Sequence, residues 1–234
     1  LLPMPCSEER EALLAEAQER RRSLTEAGQV LNRVVYDSVA FTPAADKVPG
    51  GALCFESRFE SGNMRRAVHV NGNEYDLLLN WDHGTRGHTQ WYYFAVSGAK
   101  VGEVYRFNIV NFCKPQSLYK NGMRPLLYST QAAAKLGHGW TRGGYEVMYY
   151  ENGVSRRDRN GSGKETNAQH STLSFSWTAE HANDTIFFAM CYPYSYSDLR
   201  AYLARIQAEP LRARHIRRQR LAQTIAGNEC EMLW

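Results

Sequence analysis

The chain has 234 residues, of which 43% are apolar and 12% aromatic, and its 28 Lys and Arg against 24 Asp and Glu give a formal net charge of +4. That balance excludes a disordered tail, a collagen-like repeat and a small disulfide scaffold, and the length allows one large or two small domains with a full core. No apolar run approaches the roughly 18 to 20 residues a membrane-spanning helix needs, so no membrane partner is expected.

In chain order, residues 7–27 read as a polar helix, with Glu8, Glu9 and Glu11 in the first turn behind Ser7 as N-cap and Gly28 as the stop. Its apolar stripe of Leu13, Ala17, Leu24, Ala27 and Leu31 is thin, which suits a peripheral helix lying on a core made elsewhere. After a Pro- and Gly-containing break at 43–51 the period changes to two: Leu53, Phe55 and Phe59 alternate with Glu56, Arg58 and Glu60. Residues 64–70 and 75–81 flank Asn71-Gly72, a strong hairpin signal, and Tyr75, Leu77, Leu79 and Trp81 share one face of the second strand. Further strands are predicted at 90–97, 104–112, 126–129, 145–150, 172–178 and 185–192. Residues 151–170, with Val154 and Ala168 as the only apolar side chains, are predicted to form a long mobile hairpin loop. Leu199, Tyr202, Leu203 and Ile206 then form a helical stripe that Pro210 closes.

Eight or nine short strands with turn signals between them predict an all-β fold, an antiparallel β-sandwich with peripheral N- and C-terminal helices. The expected division is an N-terminal helical extension and linker at 1–50, the sandwich at 51–197, and a helix and connector at 198–234. The chain opens at Leu1 without a leader pattern and stops at Glu231-Met232-Leu233-Trp234, where an apolar stretch is beginning, so it reads as a piece of a longer protein. Five cysteines (Cys6, Cys54, Cys113, Cys191 and Cys230) are odd in number and contain no C-x-x-C, which favours a reducing, cytoplasmic compartment.

Motifs for catalysis are sparse. There is no G-x-S-x-G, P-loop or H-E-x-x-H. Asp82, His83 and His88 bracket a glycine-containing loop and lack a third ligand of fixed position, so strand-end histidines are favoured over a zinc site. His181 to Asp184 has H-x-x-D spacing but falls between two strands, where Asn-Asp is ordinary turn chemistry. The 14 Tyr, 9 Phe and 5 Trp admit a sugar-stacking face, yet Trp91/Tyr93 and Tyr92/Phe94 alternate as core and outer layer of a strand do, which favours packing. Tyr192-Pro193-Tyr194-Ser195-Tyr196-Ser197 carries more aromatic surface than a turn needs; it is either a packed helix entry with Ser197 as N-cap or a contact surface. From Arg205 to Arg220 six arginines stand against the single acid Glu209, a local +5 that suits an acidic peptide, anionic lipid or nucleic acid as well as a solvated face. The run is not interleaved with exposed aromatics and no recognition-module signature occurs, so nucleic acid is the poorest of these partners.

Several ordered segments together resemble the cytosolic carboxypeptidases. They are residues 55–63 (FESRFESGN), 75–80 (YDLLLN), 88–94 (HTQWYYF) and 105–111 (YRFNIVN), followed by Lys114-Pro115, Ser117-Leu118-Tyr119 and Gly122-Met123-Arg124-Pro125. Trp140, Arg142 and Gly144, Tyr149-Tyr150, and residues 192–199 (YPYSYSDL) complete the set, which runs from about Phe55 to Asn228. The resemblance implies the β-sandwich domain that precedes the catalytic domain in that family of zinc carboxypeptidases, known for removing glutamates from tubulin and other protein tails. The family's zinc ligands lie in a His-Pro-Gly-Glu segment and a later histidine of the following domain. No His-x-x-Glu occurs here, so no catalytic or metal-binding residue and no cofactor is expected in this chain, with zinc expected in the catalytic domain of the parent.

The expectation is therefore a non-catalytic domain whose first partner is its own catalytic domain, with tubulin or other glutamylated tails reached through the parent, at a cytoplasmic site with association to microtubules or cilia and flagella as a further expectation. Lys114, Ser117, Tyr119, Met123, Arg124 and Pro125, with Tyr194 and Tyr196, are expected to face that domain, and Arg212, Arg214, Arg217, Arg218 and Arg220 to attract acidic substrates. The competing expectations are a stand-alone module that binds glycans, acidic peptides or microtubules and, last, an autonomous zinc enzyme at Asp82, His83 and His88.

Overall fold

A computed structural model describes residues 7–40, 51–85, 87–157 and 165–234. Helix α1 (Ser7–Glu26) precedes strands β1 (Arg33–Asp37), β2 (Cys54–Glu56), β3 (Met64–Asn71), β4 (Glu74–Leu79), β5 (Tyr93–Ser97) and β6 (Val104–Phe112). A 3-10 turn at Leu118–Asn121 leads to β7 (Leu126–Ser129), α2 (Thr130–Leu136), β8 (Thr141–Arg142), β9 (Tyr145–Arg157), β10 (Glu165–Thr178) and β11 (Thr185–Ala189). Helices α3 (Tyr196–Ala208) and α4 (Pro210–Ala213) and a hairpin of β12 (Arg218–Gln223) and β13 (Glu229–Leu233) close the chain.

Two sheets face each other, a six-stranded one in the order β1-β3-β4-β6-β10-β9 and a five-stranded one in the order β2-β5-β11-β7-β8. All neighbours are antiparallel except β4 and β6. The predicted all-β sandwich with peripheral helices is what forms. Its thirteen described strands exceed the expected eight or nine, because β1, the two-residue β8 and the β12–β13 hairpin carry little alternating pattern.

Period-two alternation sets the core. On β4, Tyr75, Leu77 and Leu79 point inward, while on β6 Tyr105, Phe107 and Ile109 do, as do Leu173, Phe175 and Trp177 on β10. They meet Tyr92, Phe94 and Phe188 of the other sheet. Phe107 is the hub, its ring centroid 5.2 Å from Phe188, 5.6 Å from Phe175 and 6.2 Å from Phe94. Tilted and edge-on pairs of this kind add to the area term of burial.

Three local expectations are corrected. The 151–170 stretch is not a free loop: β9 reaches Arg157 and β10 starts at Glu165, with Gln169 opposite Ser155 and Glu165 opposite Arg157. The ribbon runs past the end of β6, whose last partner on β10 is Ser171, so neither face is covered and no hydrophobic alternation marks it. Asn152 anchors its base, donating to the Val110 carbonyl at 2.7 Å and to Thr172 Oγ1 at 2.9 Å. Residues 33–37, within the predicted linker, pair with β3 and extend the six-stranded sheet. The N-cap of α3 is Ser195, whose Oγ accepts from the Asp198 amide while the Asp198 carboxylate accepts from the Ser195 amide, a reciprocal capping box that displaces Ser197 by two residues.

Candidate domain interface and basic segment

The expected interface residues fall into two groups. Tyr119 and Pro125 belong to the domain's own interior: Tyr119 is 3% exposed, with its hydroxyl 2.6 Å from that of the fully buried Tyr92. Burial pushes both phenols well above the usual tyrosine range. Assigning Tyr119 and Pro125 to a surface is therefore corrected; the 3-10 turn at Leu118–Asn121 sends Tyr119 inward while Leu118 stays outside, and Pro125 is buried at the entry to β7. Ser117 caps the 3-10 turn, its Oγ accepting from the Tyr119 amide. Lys114 is exposed while its carbonyl accepts from the Tyr149 hydroxyl at 2.5 Å, and Met123 is half-buried against the core. Leu118, between them, is 67% exposed.

Arg142 joins the two expected interface segments. Its guanidinium donates to the Arg124 carbonyl at 2.5 Å and to the Met190 carbonyl at 3.2 Å, so the chain leading to Pro125 runs beside the end of β11. Tyr192 and Tyr194 follow immediately and are exposed, while Tyr196 is half-buried beneath Arg200, 5.9 Å from its ring centre. The start of α3 is tied to the sandwich by Glu60, whose carboxylate accepts from the Ser197 amide at 2.9 Å, which with other contacts there holds the carboxyl below its usual range. Beside Glu60, Phe59 opens a half-buried aromatic layer on the outer face of the five-stranded sheet. Its ring lies 4.8 Å from Tyr93 and 5.8 Å from Phe187, and Trp140 lies 5.8 Å from Tyr93 and 5.4 Å from Tyr128.

The arginine run does not form one patch. Arg205 lies over Tyr202 on α3, and Arg212 pairs with Glu209 at 2.9 Å. Arg218 reaches Glu231 at 2.5 Å and Gln207 at 3.1 Å, and Arg220 approaches Glu229 at 3.8 Å. Arg214 and Arg217 are exposed and make no ion pair among the described residues, although the Arg217 backbone pairs with that of Trp234 at 2.7 and 3.1 Å. Sequence reading missed the neutralising partners because Glu229 and Glu231 lie on the opposite strand of the hairpin.

Asp82, His83 and His88 sit in a tight turn in which the Asp82 amide donates to the His88 carbonyl at 2.9 Å. No group of three His, Cys, Asp or Glu side chains among the described residues is placed to hold a metal ion. Asp184 is fully engaged at the start of α2, accepting from Ser129 Oγ at 2.5 Å, Thr130 Oγ1 at 2.8 Å and the Gln131 amide at 3.0 Å. The H-x-x-D spacing is thus turn and cap chemistry. No disulfide joins the described cysteines.

Residues 55–191 match the family described as the cytosolic carboxypeptidase N-terminal domain. This chain belongs to that family. Cytosolic carboxypeptidase 3 of Bos taurus is 44% identical over 178 residues, covering 75% of this chain and 17% of the relative. Cytosolic carboxypeptidase 1 of Gallus gallus is 38% identical over 90% of this chain, again 17% of the relative, and cytosolic carboxypeptidase 2 of Mus musculus is 42% identical over 77% of this chain and 20% of the relative. Among solved structures, a metallo-carboxypeptidase from Burkholderia cenocepacia superposes with a TM-score of 0.53 at 20% identity, over 78% of this chain and 39% of that one. At that identity the likeness shows the fold alone. The present chain spans about a fifth or less of the length of these curated relatives.

Proposed function

We propose that this chain is the non-catalytic N-terminal domain of a cytoplasmic zinc metallocarboxypeptidase that removes glutamates from protein tails such as those of tubulin. In this reading the domain supports folding of the catalytic domain and shapes access to it. The donor set does not fit a zinc site within the described residues, so the metal, which acts as Lewis acid and water activator in such enzymes, is assigned to the catalytic domain.

The observation that carries this reading is the edge where Arg142 holds the 118–125 segment against the end of β11. Leu118, ahead of the Arg124 end of that tie, and Tyr192 and Tyr194, just past its Met190 end, are each 60–67% exposed, apolar surface that a partner domain would cover. A glycan-binding role is less well supported, because the outer-face rings lock edge to face, with interplanar angles of 72° for Phe59 and Tyr93 and 62° for Tyr93 and Trp140, instead of presenting one flat platform.

The test is Tyr192→Ser with Tyr194→Ser in the full-length protein. The variant should lower the unfolding temperature of the catalytic domain while leaving amide-exchange protection in β6 and β10 unchanged. An unaltered catalytic-domain transition would refute this edge as the interface. For acidic tails, Arg214→Glu with Arg217→Glu should raise KM at low ionic strength and lose its effect in high salt; an effect independent of salt refutes electrostatic attraction.

A further inference from the structure

Helix α1 is held to the sandwich mainly by charge. Its inward side offers only Leu13, Leu14, Ala17 and Leu24, all half-buried. Arg21 makes a two-pronged contact with Asp76, at 3.1 and 2.6 Å, and Arg20 reaches Glu74 at 3.0 Å. Glu74 and Asp76 are neighbours on the outer face of β4, 15% and 16% exposed, and Asn108 donates to both at 2.8 and 3.0 Å. Ser174 in turn donates to Asn108 at 2.5 Å, so the two carboxylates are fixed from below and the two guanidiniums offset their repulsion from above. Arg22 faces away, bonded to Glu26 at 3.0 Å and 3.9 Å from Glu19.

The next residues are Ser23, exposed, and Leu24. Three guanidiniums immediately before a serine, with an apolar residue after it, form the charge pattern that basic-directed protein kinases select through acidic pockets. From these facts we infer that Ser23 is a phosphorylation site whose modification releases α1 from the six-stranded sheet. This goes beyond the proposed function and does not depend on it.

The reaction is phosphoryl transfer from ATP. Ser23 Oγ forms a bond to the γ-phosphorus, the bond to the β,γ-bridging oxygen breaks, ADP leaves, and the hydroxyl proton passes to the kinase's catalytic carboxylate. A kinase cleft takes its substrate extended with the arginines engaged, so modification proceeds from the detached helix, and the Glu74–Asp76 clasp competes with the kinase for Arg20 and Arg21. Once present, the phosphate carries about −1.5 to −2 charges near the helix C-terminus, where negative charge is unfavourable, and it sits one turn from Arg20 and competes with Glu74 for it. Modification and detachment therefore reinforce each other.

The test treats the full-length protein with Mg-ATP and the catalytic subunit of the cyclic-AMP-dependent protein kinase, followed by phosphopeptide mapping and amide hydrogen exchange. Phosphate on Ser23, absent in Ser23→Ala, should accompany exchange in 11–26 faster by about tenfold, the loss of one part-buried ion pair and an unfavourable dipole contact, with β3 and β4 unchanged. Asp76→Asn should raise the initial rate of Ser23 phosphorylation severalfold, with its β6 and β10 exchange serving as the check that the fold is intact. Absence of phosphate on Ser23 overturns the site. Stoichiometric phosphate with α1 protection unchanged, or an unaltered rate in Asp76→Asn, overturns the release.

Discussion

The hydroxyls of Tyr92 and Tyr119 are each other's hydrogen-bond partner, 2.6 Å apart at positions 0% and 3% exposed, with no second partner among the described residues. Replacing either tyrosine by phenylalanine strands the remaining hydroxyl in the core, at a cost of about 2 kcal/mol within the 1–3 kcal/mol range for an unsatisfied buried group. Replacing both removes the pair together and costs about 1 kcal/mol or less, since no orphan remains. Y92F, Y119F and the double variant, compared by urea unfolding followed by tryptophan fluorescence, should thus show a coupling energy of about 3 kcal/mol. The same burial sets an alkaline limit. Both phenols ionise above the usual value near 10 in the folded state, so the unfolded chain loses protons first. Their contribution is complete below pH 10 and is lost as pH rises above it, by about 1.4 kcal/mol per pH unit for each tyrosine. Each single variant should flatten that slope. Additive single-variant costs, with coupling below about 0.5 kcal/mol, would refute mutual satisfaction of the two hydroxyls.

At Gly62 an added Cβ would stand 2.2 Å from the Ser57 carbonyl oxygen, so Gly62→Ala should destabilise by about 2 kcal/mol in thermal unfolding; wild-type stability would contradict this close approach. Asp184→Ala removes three hydrogen bonds at the start of α2 and should cost about 2 kcal/mol, with faster amide exchange confined to 130–136 and its neighbours; unaltered exchange there would show that Asp184 does not hold the helix. Glu56 is pushed down to about 2 by the Arg58 guanidinium, helped by the Arg58 and Ser57 amides. Its folded value is below the unfolded one, so its contribution is present above about pH 4.5 and disappears as pH falls toward 2. Arg58→Ala should flatten stability between pH 5 and 2, and an unchanged acid limb counts against the pair.

The sandwich was legible because its inner faces obey a period of two: Tyr75, Leu77 and Leu79 on β4 and Tyr92 and Phe94 before and in β5 can be placed from spacing alone, and all are buried. The β9–β10 ribbon was illegible for the opposite reason. With both faces in solvent there is no apolar alternation, and pairing rests on backbone hydrogen bonds and on Asn152, none of which leaves a pattern in composition. Strand β1 was hidden because only Val35 and Tyr36 turn inward, too short a run to show a period. The burial of the segments expected to face another domain was half legible. Apolar and aromatic residues around Leu118 and Tyr192 mark segments with exposed side chains, but which of them turn outward depends on the 3-10 turn that sends Tyr119 inward and on Arg142, 18 and 48 residues from the carbonyls it joins, separations no local rule reads.

Charge is where linear reading departs furthest from the folded molecule. Counting along residues 205–220 gives +5, yet Arg212, Arg218 and Arg220 are met by Glu209, Glu231 and Glu229, two of them brought in by the β12–β13 pairing. The electrostatic attraction proposed for acidic tails then rests on Arg214 and Arg217 together with the unpaired remainder of the surface, and exposed pairs such as Arg220 with Glu229 contribute little beyond a Debye length of about 8 Å at physiological salt. At the other end of the chain the same principle works in reverse. Helix α1 carries six glutamates against four arginines, so even with the run Arg20-Arg21-Arg22 its net charge is −2, but two of the three guanidiniums are aimed at a pair of carboxylates that the sheet holds nearly buried. Partial desolvation makes those contacts stronger than an exposed pair such as Arg220 with Glu229, and Arg218 with Glu231, 20% and 7% exposed, is the C-terminal pair of the same kind. Which arginines bind the fold and which remain surface charges is therefore decided by the burial of the carboxylate each one meets, not by how densely the arginines crowd the sequence.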